Sequence, residues 1–328
     1  MYSEKIFSVS NEAEFQELAL DIFGFQYHNN KVYRKFCELL KRSPGKLKRL
    51  EDIPFLPIEF FKSHRLISSK SEPEIIFTSS GTTGKQTSKH YVTDLGLYER
   101  SFIQAFKNIY GNPEDLVILA LLPSYMERTG SSLIYMANAL INKSRHSESG
   151  FYLKNLDELQ HTLQKVESAG KKTLLIGVSF ALLDLVERHR FNLKHTIVME
   201  TGGMKGRRKE MIRTELHEIL CEGFGVASIH SEYGMTELLS QAYSTGDGIF
   251  ECSSWMKILI RDSEDALSFL PEQKTGGINV IDLANFNSCS FIATQDLGRN
   301  TEPGKNRNIR PFRPFRHKRL QPSSDLIY

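Results

Sequence analysis

Phe77-Thr78-Ser79-Ser80-Gly81-Thr82-Thr83-Gly84-Lys85-Gln86 is the most informative stretch of the chain. With Ile75 and Ile76 before it, a short apolar run passes straight into five hydroxyl residues, two glycines and a lysine. Glycines let backbone N–H groups approach an anion closely, hydroxyls donate further hydrogen bonds to its oxygens, and a lysine adds positive charge. The pattern predicts a buried strand that enters a phosphate-binding loop. A Walker loop is excluded by spacing. It requires G-x-x-x-x-G-K-[ST], and here Ser79 stands in place of the first glycine and Gln86 in place of the metal-binding hydroxyl. No G-x-G-x-x-G dinucleotide fingerprint occurs either. The bland alternative is a Ser/Thr/Gly surface loop.

Outward from this loop, short apolar runs alternate with amphipathic stretches. Strands are expected at 116–122, 173–178, 196–199, 227–230, 256–260, 278–281 and 291–294. Helices are expected at 95–109, 132–141, 156–169, 180–189 and 207–221. This alternation predicts an α/β fold with a largely parallel sheet. Upstream, residues 11–42 read as two helices, with Asn11 and Glu14 as a capping box. The prolines and aromatics of 54–66 read as a packed irregular approach. Leu133, Ile134, Met136 and Leu140 fit a buried helix face, and the histidines His90, His230 and His317 fit structural or exposed roles better than catalytic ones.

Composition narrows the class. Charged residues are 25% and hydrophobic residues 40% of the 328, ordinary for a globular chain. The net charge is +3, yet residues 305–320 alone hold seven Lys/Arg and no acid, which leaves +3 − 7 = −4 for the rest. The body is therefore not a basic nucleic-acid-binding surface. The four cysteines, Cys37, Cys221, Cys252 and Cys289, form no CxxC pair, so neither zinc nor a disulfide framework is supported. The N-terminus lacks an apolar signal core and no apolar run is long enough to span a bilayer. A cytoplasmic protein with no membrane and no nucleic-acid partner is expected.

Two further motifs follow in order. Glu232-Tyr233-Gly234-Met235-Thr236-Glu237 has the form aromatic–Gly–x–Thr–Glu, and Thr294-Gln295-Asp296-Leu297-Gly298-Arg299 has the form T-x-D-x-G-R. Glu200-Thr201-Gly202-Gly203-Met204 lies between the loop and these motifs, behind an expected strand. Together with the phosphate loop they resemble the adenylate-forming superfamily, which includes acyl-CoA synthetases and peptide-synthetase adenylation domains. The resemblance implies the large N-terminal α/β domain of that superfamily, with mostly parallel sheets flanked by helices. It implies ATP and Mg²⁺ as cofactors. Thr78, Ser79, Ser80, Gly81, Thr82, Thr83, Gly84 and Lys85 would hold the β- and γ-phosphates. Gly202 and Gly203 would line the adenine pocket, and Tyr233, with Gly234 and Met235 beside it, would stack near adenine. Thr236 would contact the α-phosphate region and Glu237 would hold the metal. Asp296, with Arg299 in the same motif, would bind the ribose. Lys85, Thr236 and Glu237 are the implied catalytic residues.

The branch is read from what surrounds the motifs. Only 328 − 299 = 29 residues follow Arg299, too few for the usual C-terminal cap domain of about a hundred residues. The segment Ile53–Lys62 (IPFLPIEFFK), then FTSSGTTG, EYGMTE and ATQDLGR, resembles the acyl-protein synthetases related to the fatty-acid-activating subunit of bacterial bioluminescence (LuxE-like). Such enzymes make acyl-AMP from a fatty acid, move the acyl group to a cysteine thiol near their own C-terminus, and deliver it to a partner acyl reductase. The phenylacetate-CoA ligase branch, with coenzyme A as acceptor, is the competing assignment. A catalytically dead homologue, or a binder that uses its basic tail on nucleic acid or anionic lipid, are readings from other classes. The expected domain is 1–305, followed by an aberrant, disordered basic tail over 306–328. Codons permitted for Arg310 through Pro322, read one base out of register, can encode a Gly-Arg-Phe-Asp hinge and a later Gly-Cys pair. The tail is accordingly read as a frameshift product that has lost the acceptor cysteine.

Overall fold

The computed structural model describes residues 2–79, 86–122, 130–153, 155–202, 208–209, 211–301 and 311–319. Its contacts divide the chain into two compact units. One comprises 75–87 and 95–250, the other 1–74, 88–94 and 251–328.

The first unit carries the parallel sheet that the strand–helix alternation predicts. Its strands run in the order Ala242–Ser244, His230–Tyr233, Thr196–Thr201, Thr173–Val178, Val117–Leu121, Gly150–Phe151. All neighbouring pairs are parallel except the first, which is antiparallel. Parallel neighbours need a crossover, and the helices Leu156–Ser168, Ser179–Arg188 and Arg213–Phe224 supply them. Val117–Leu121 and Thr173–Val178 are buried at every residue, as strands covered on both faces must be. Met136 and Leu140 of the helix Ser132–Lys143 are buried core residues.

Three elements downstream of Gln86 differ from expectation by three residues or more at a boundary. The strand placed at 227–230 lies at His230–Tyr233, and the helix placed from 207 begins at Arg213. The strand expected to stop at Thr294 runs to Asn300, so the T-x-D-x-G-R motif lies inside a strand.

The second unit is built on a mostly antiparallel sheet. Met256–Arg261, Gly276–Asp282 and Phe291–Asn300 pair antiparallel in that order, and the short strand Leu56–Pro57 joins the last in parallel. The N-terminal helices Tyr2–Ser8, Glu12–Asn29 and Lys31–Leu39 belong to this unit. Asn11 caps the second, accepting from the Glu14 N–H at 3.0 Å, while the Glu14 carboxylate reaches back one residue further than a standard box, to the Ser10 N–H at 2.9 Å. Phe23, Tyr33, Phe55 and Phe291 form the aromatic core, with ring centroids 6.1–6.2 Å apart. The buried Gln26 amide bonds the Asn285 and Phe286 carbonyls and the Ser290 hydroxyl, and accepts from the Ser290 N–H. A buried amide satisfied this fully fixes the helix against one register of the chain beyond it.

The tail expectation needs correcting over part of its length. Phe312–Arg319 is a strand, paired antiparallel with Phe291–Asn300 through Asn300↔Phe312 and Gly298↔Pro314. Phe312 is fully buried, and the Pro311 carbonyl accepts from both the N–H and the hydroxyl of Thr301 at 3.0 and 3.1 Å. The unmet premise was that this composition could bury too little apolar surface. Positions 306–310 and 320–328 of the expected tail lie outside the described residues. Among the described residues no helix is long and apolar enough to cross a membrane.

Candidate nucleotide site

The strand Ile75–Thr78 delivers the phosphate-loop sequence, and Ser79 follows it directly. Phe77 is fully buried and anchors this strand through ring contacts with Tyr98 at 5.2 Å and Tyr135 at 5.8 Å. The Thr78 N–H donates to the Gly130 carbonyl at 2.7 Å. Gly130 was not picked out from sequence. It has φ +86°, and a Cβ there would lie 3.0 Å from both the Ile76 carbonyl and the Thr78 hydroxyl. Only glycine fits both the conformation and the approach. Its sequence signal was Gly130-Ser131 ahead of a helix, since Ser131 is the N-cap of Ser132–Lys143 and accepts from the Ile134 N–H at 3.3 Å. Ser80, Gly81, Thr82, Thr83, Gly84 and Lys85 lie outside the described residues.

The parallel strands of the same unit end side by side at Leu121, Val178, Thr201 and Tyr233. In open α/β sheets ligands bind outside these carboxyl ends. Gly202 follows Thr201 at φ +68°, and its carbonyl accepts from the Ser179 hydroxyl at 3.2 Å. That hydroxyl also reaches the buried Glu200 carboxylate at 3.3 Å. Glu200 further accepts from Ser231 at 2.9 Å and faces Arg213 and His217 at 3.6 and 3.5 Å. The turn after Thr201 is thus tied to two strands and two helices by one carboxylate. Gly203 lies outside the described residues.

Tyr233 ends its strand half-buried, edge-on to Phe250 at 6.1 Å. The Arg213 guanidinium covers that same Phe250 ring at 5.0 Å from its centroid. Gly234 is exposed, Met235 and Thr236 are half-buried, and Glu237 is buried. The Leu238 N–H closes this segment on the Met235 carbonyl at 3.2 Å, so it is a turn after a strand and not the start of a helix.

Asp296 and Arg299 belong to the other compact unit. Asp296 is half-buried and Arg299 exposed on the strand Phe291–Asn300. The Asp296 N–H donates to the Thr294 hydroxyl at 3.2 Å, and that hydroxyl donates to the Ile278 carbonyl at 2.8 Å. The buried Arg261 guanidinium holds the same place, donating to the carbonyls of Thr294 and Ile278 and to Asn279 Oδ1. Arg261 carried no motif and could not be singled out from sequence.

His90 and His230 take structural places, and the side chain of His317 lies outside what is described. His90 is buried and its Nε2 lies 2.9 Å from Asn285 Oδ1. His230 sits 3.3 Å from the Tyr110 hydroxyl, and burial lowers its pKa. Among the described residues no group of three or more His, Cys, Asp or Glu is arranged to hold a metal.

Comparison with known proteins agrees with this architecture. Residues 4–306 match the family model described as acyl-protein synthetase, LuxE. A long-chain-fatty-acid–luciferin-component ligase of Vibrio harveyi is 25% identical over 297 residues, which is 84% of this chain and 76% of that protein. The protein of the same name from Photorhabdus luminescens is 39% identical over 70 residues, 21% of this chain and 60% of its own length. Among solved structures, an open conformation of 2-hydroxyisobutyryl-CoA ligase in complex with 2-HIB-AMP and CoA superposes with a TM-score of 0.70 at 14% identity, over 92% of this chain and 68% of that one. ATP-bound MatB from Rhodopseudomonas palustris does so with a TM-score of 0.53 at 17% identity, over 72% and 47%. The fold is therefore that of the large domain of adenylate-forming ligases, and the chain belongs to the LuxE acyl-protein synthetase family.

Proposed function

We propose that this chain activates a carboxylic acid, a fatty acid by preference, as its acyl-AMP at the expense of ATP and then passes the acyl group to a thiol. One observation carries the proposal. Within a single compact unit of a chain of this family, a strand runs into the phosphate-loop sequence, and adjacent parallel strands end at Gly202 and at Tyr233–Glu237.

The reaction needs no protein nucleophile. The acid's carboxylate attacks the α-phosphorus and pyrophosphate leaves. What the protein must supply is position and compensating charge. In this reading the hydroxyls of 78–83 and Lys85 take the β- and γ-phosphates, and Thr236 takes the α-phosphate. Tyr233 and the glycine pair flank adenine, and Asp296 receives the ribose hydroxyls with Arg299 nearby. Glu237 is the residue that would hold Mg²⁺. A single buried carboxylate fits that ion, which prefers hard oxygens and shares its remaining positions with phosphates and water. When bound, the metal neutralises charge on the departing pyrophosphate.

The acceptor thiol is better sought outside this chain. Burial pushes Cys37 and Cys289 up to about 12, and it raises Cys252 and Cys221 as well. The thiolate is the nucleophile, so none of the four is poised to accept an acyl group. Coenzyme A or a cysteine of a partner acyl reductase fits the role.

ATP–pyrophosphate exchange with a panel of carboxylic acids tests the activation step. Exchange that depends on added acid, strongest with long-chain fatty acids, is expected. ATP binding without exchange for any acid would overturn the proposal and make the chain an inactive homologue. Radiolabelled acid then reports the acceptor. Label retained on this protein through denaturation and released by hydroxylamine would show that one of its own cysteines serves after all.

A further inference from the structure

Arg213 opens the helix Arg213–Phe224 and belongs to none of the motifs. Glu200 stands directly across from Ser231 in the parallel ladder, and Tyr233 follows Ser231 by two residues. These three side chains therefore point to the same side of the sheet. The Ser231 hydroxyl donates to the buried Glu200 carboxylate at 2.9 Å. Arg213 and His217, one turn apart on the helix, both reach that carboxylate, at 3.6 and 3.5 Å.

From this anchor the Arg213 side chain continues to a second part of the site. Its guanidinium carbon lies 5.0 Å from the centroid of the Phe250 ring. Phe250 is fully buried and meets the Tyr233 ring edge-on, with centroids 6.1 Å apart and ring planes at 70°. Gly248 leaves room for the arginine: its φ is +63°, and a Cβ there would lie 2.9 Å from Arg213 Cδ. The Arg213 side chain is 17% exposed, so it meets the ring largely out of water, where a cation is drawn most strongly to an aromatic face. A guanidinium suits both ends, because its charge faces the carboxylate while its plane can rest on the ring. One side chain thus joins Glu200, two residues before Gly202, to the ring that backs Tyr233.

We propose that Arg213 is a positioning residue of the nucleotide site: braced on Glu200, it holds the Phe250 ring against Tyr233 and so fixes the Tyr233 ring relative to Gly202. This rests on the reading of Gly202 and Tyr233 as the residues that flank adenine. Without Arg213, Tyr233 keeps its place in the ladder, opposite Ala242, but its ring loses the backing. Affinity for the nucleotide then falls with the fraction of molecules whose ring is still in place.

The test makes two measurements on the full chain. The first is ATP affinity by calorimetry. Arg213→Met should weaken ATP binding about tenfold, the scale of a largely desolvated contact between a cation and a ring. Phe250→Leu should do the same with the ion pair to Glu200 intact, and it carries the comparison if Arg213→Met does not fold. In a Tyr233→Leu background neither change should cost anything further, since no ring is left to position. A merely structural arginine would cost the same in both backgrounds. The second measurement needs no nucleotide. In protein labelled with fluorotyrosine, the Tyr233 fluorine resonance is identified by its loss in Tyr233→Phe. That line should shift or broaden in Arg213→Met and in Phe250→Leu. An unmoved Tyr233 line, or an equal loss of ATP affinity in both backgrounds, overturns the proposal. If the line moves as expected but Tyr233→Leu binds ATP no differently from the wild type, the adenine reading of Tyr233 has failed and the positioning of its ring has not.

Discussion

Replacing Arg261 with methionine removes the guanidinium that fastens the strand carrying Asp296. Arg261 is buried to 6% exposure, and its Nη1 donates to the Ile278 carbonyl at 2.8 Å and to Asn279 Oδ1 at 2.7 Å, while Nη2 donates to the Thr294 carbonyl. Hydrogen bonds from a charged donor contribute roughly 1.5–3 kcal/mol each. Their sum overstates the effect, because methionine also spares the protein the cost of keeping a cation out of water. What remains is the penalty on acceptors left behind. The Ile278 carbonyl keeps the Thr294 hydroxyl, so Asn279 Oδ1 and the Thr294 carbonyl are the two that lose the guanidinium. At about 1–3 kcal/mol each, less some relaxation, the expected loss is about 3 kcal/mol.

The chain has a single tryptophan, and it reports on the right unit. Trp255 is 1% exposed, immediately precedes the strand Met256–Arg261, and packs edge-on against Phe7 at 4.9 Å. Its fluorescence during urea or thermal unfolding follows this unit without averaging over the other, which matters because two units need not unfold as one transition. At about 2–4 °C per kcal/mol for a unit of this size, Arg261→Met should lower the tryptophan-detected midpoint by about 6–12 °C. Arg261→Lys should recover little of it, since an ammonium is a point donor without the planar fork that spans these acceptors. Gly277→Ala should mimic the loss with the arginine intact, because its Cβ would lie 2.5 Å from the Arg261 Cζ. A midpoint within about 1 °C of wild type for both Arg261→Met and Gly277→Ala would refute the reasoning and make the guanidinium a passenger.

Gly130→Ala should destabilise the protein by about 1–2 kcal/mol through its left-handed backbone, and should weaken ATP binding because the new methyl presses on Thr78; ATP titration and thermal melting check the two effects separately. Glu237→Gln should lower exchange strongly at limiting Mg²⁺ with the fold intact, whereas Asp296→Ala should chiefly weaken ATP binding; wild-type exchange in the first, or a change in melting temperature alone in the second, removes the assigned role. Glu148 is held down to about 2 by its hydrogen bond and proximity to Lys171, 2.9 Å away. Its folded pKa is lower than its unfolded one, so the stabilisation exists above the ordinary carboxylate range and is lost as pH falls from about 4.5 to about 2. Lys171→Met should therefore reduce stability at neutral pH and flatten the acid side of the melting-temperature profile.

Elements whose apolar residues repeat at the right period were legible from the sequence. Thr173–Val178 is found with the bounds expected, and the helix Leu95–Tyr110 ends one residue beyond them, because both bury an apolar pattern that needs no partner to be recognised. His230–Tyr233 was placed too early because His-Ser-Glu-Tyr has no apolar alternation. It is a strand on account of what lies beside it: Ser231 bonds Glu200, and Glu232 bonds Thr201. The same dependence on distant residues hides Arg261, whose acceptors lie 17, 18 and 33 positions away, and Gly130, whose constraint is the backbone of the Ile75–Thr78 strand. The motifs could name the residues proposed to meet a nucleotide. They could not name the residues that hold those in place, because positioning is done by contacts remote in sequence.

The C-terminal strand shows the same limit from the other side. Phe312-Arg313-Pro314-Phe315-Arg316 reads locally as a charge run broken by proline, which argues against a strand in any central position. That argument assumes the strand needs partners on both sides. Here the residues pair with the last turn-ward portion of Phe291–Asn300, and Pro314 falls opposite Gly298, next to the register shift between Asp296 and Gly298. Proline is tolerated at such an irregularity, where the ladder is already interrupted. The buried Phe312 ring and the Thr301–Pro311 hydrogen bonds supply the anchorage that composition concealed. The pairing carries a cost that the same register makes visible. Arg313 stands directly across from Arg299, and like charges so placed repel. The same register also sets Arg319 across from Asp296, so the charges along this ladder act in both directions. The basic character of the segment therefore says little about why it folds where it does.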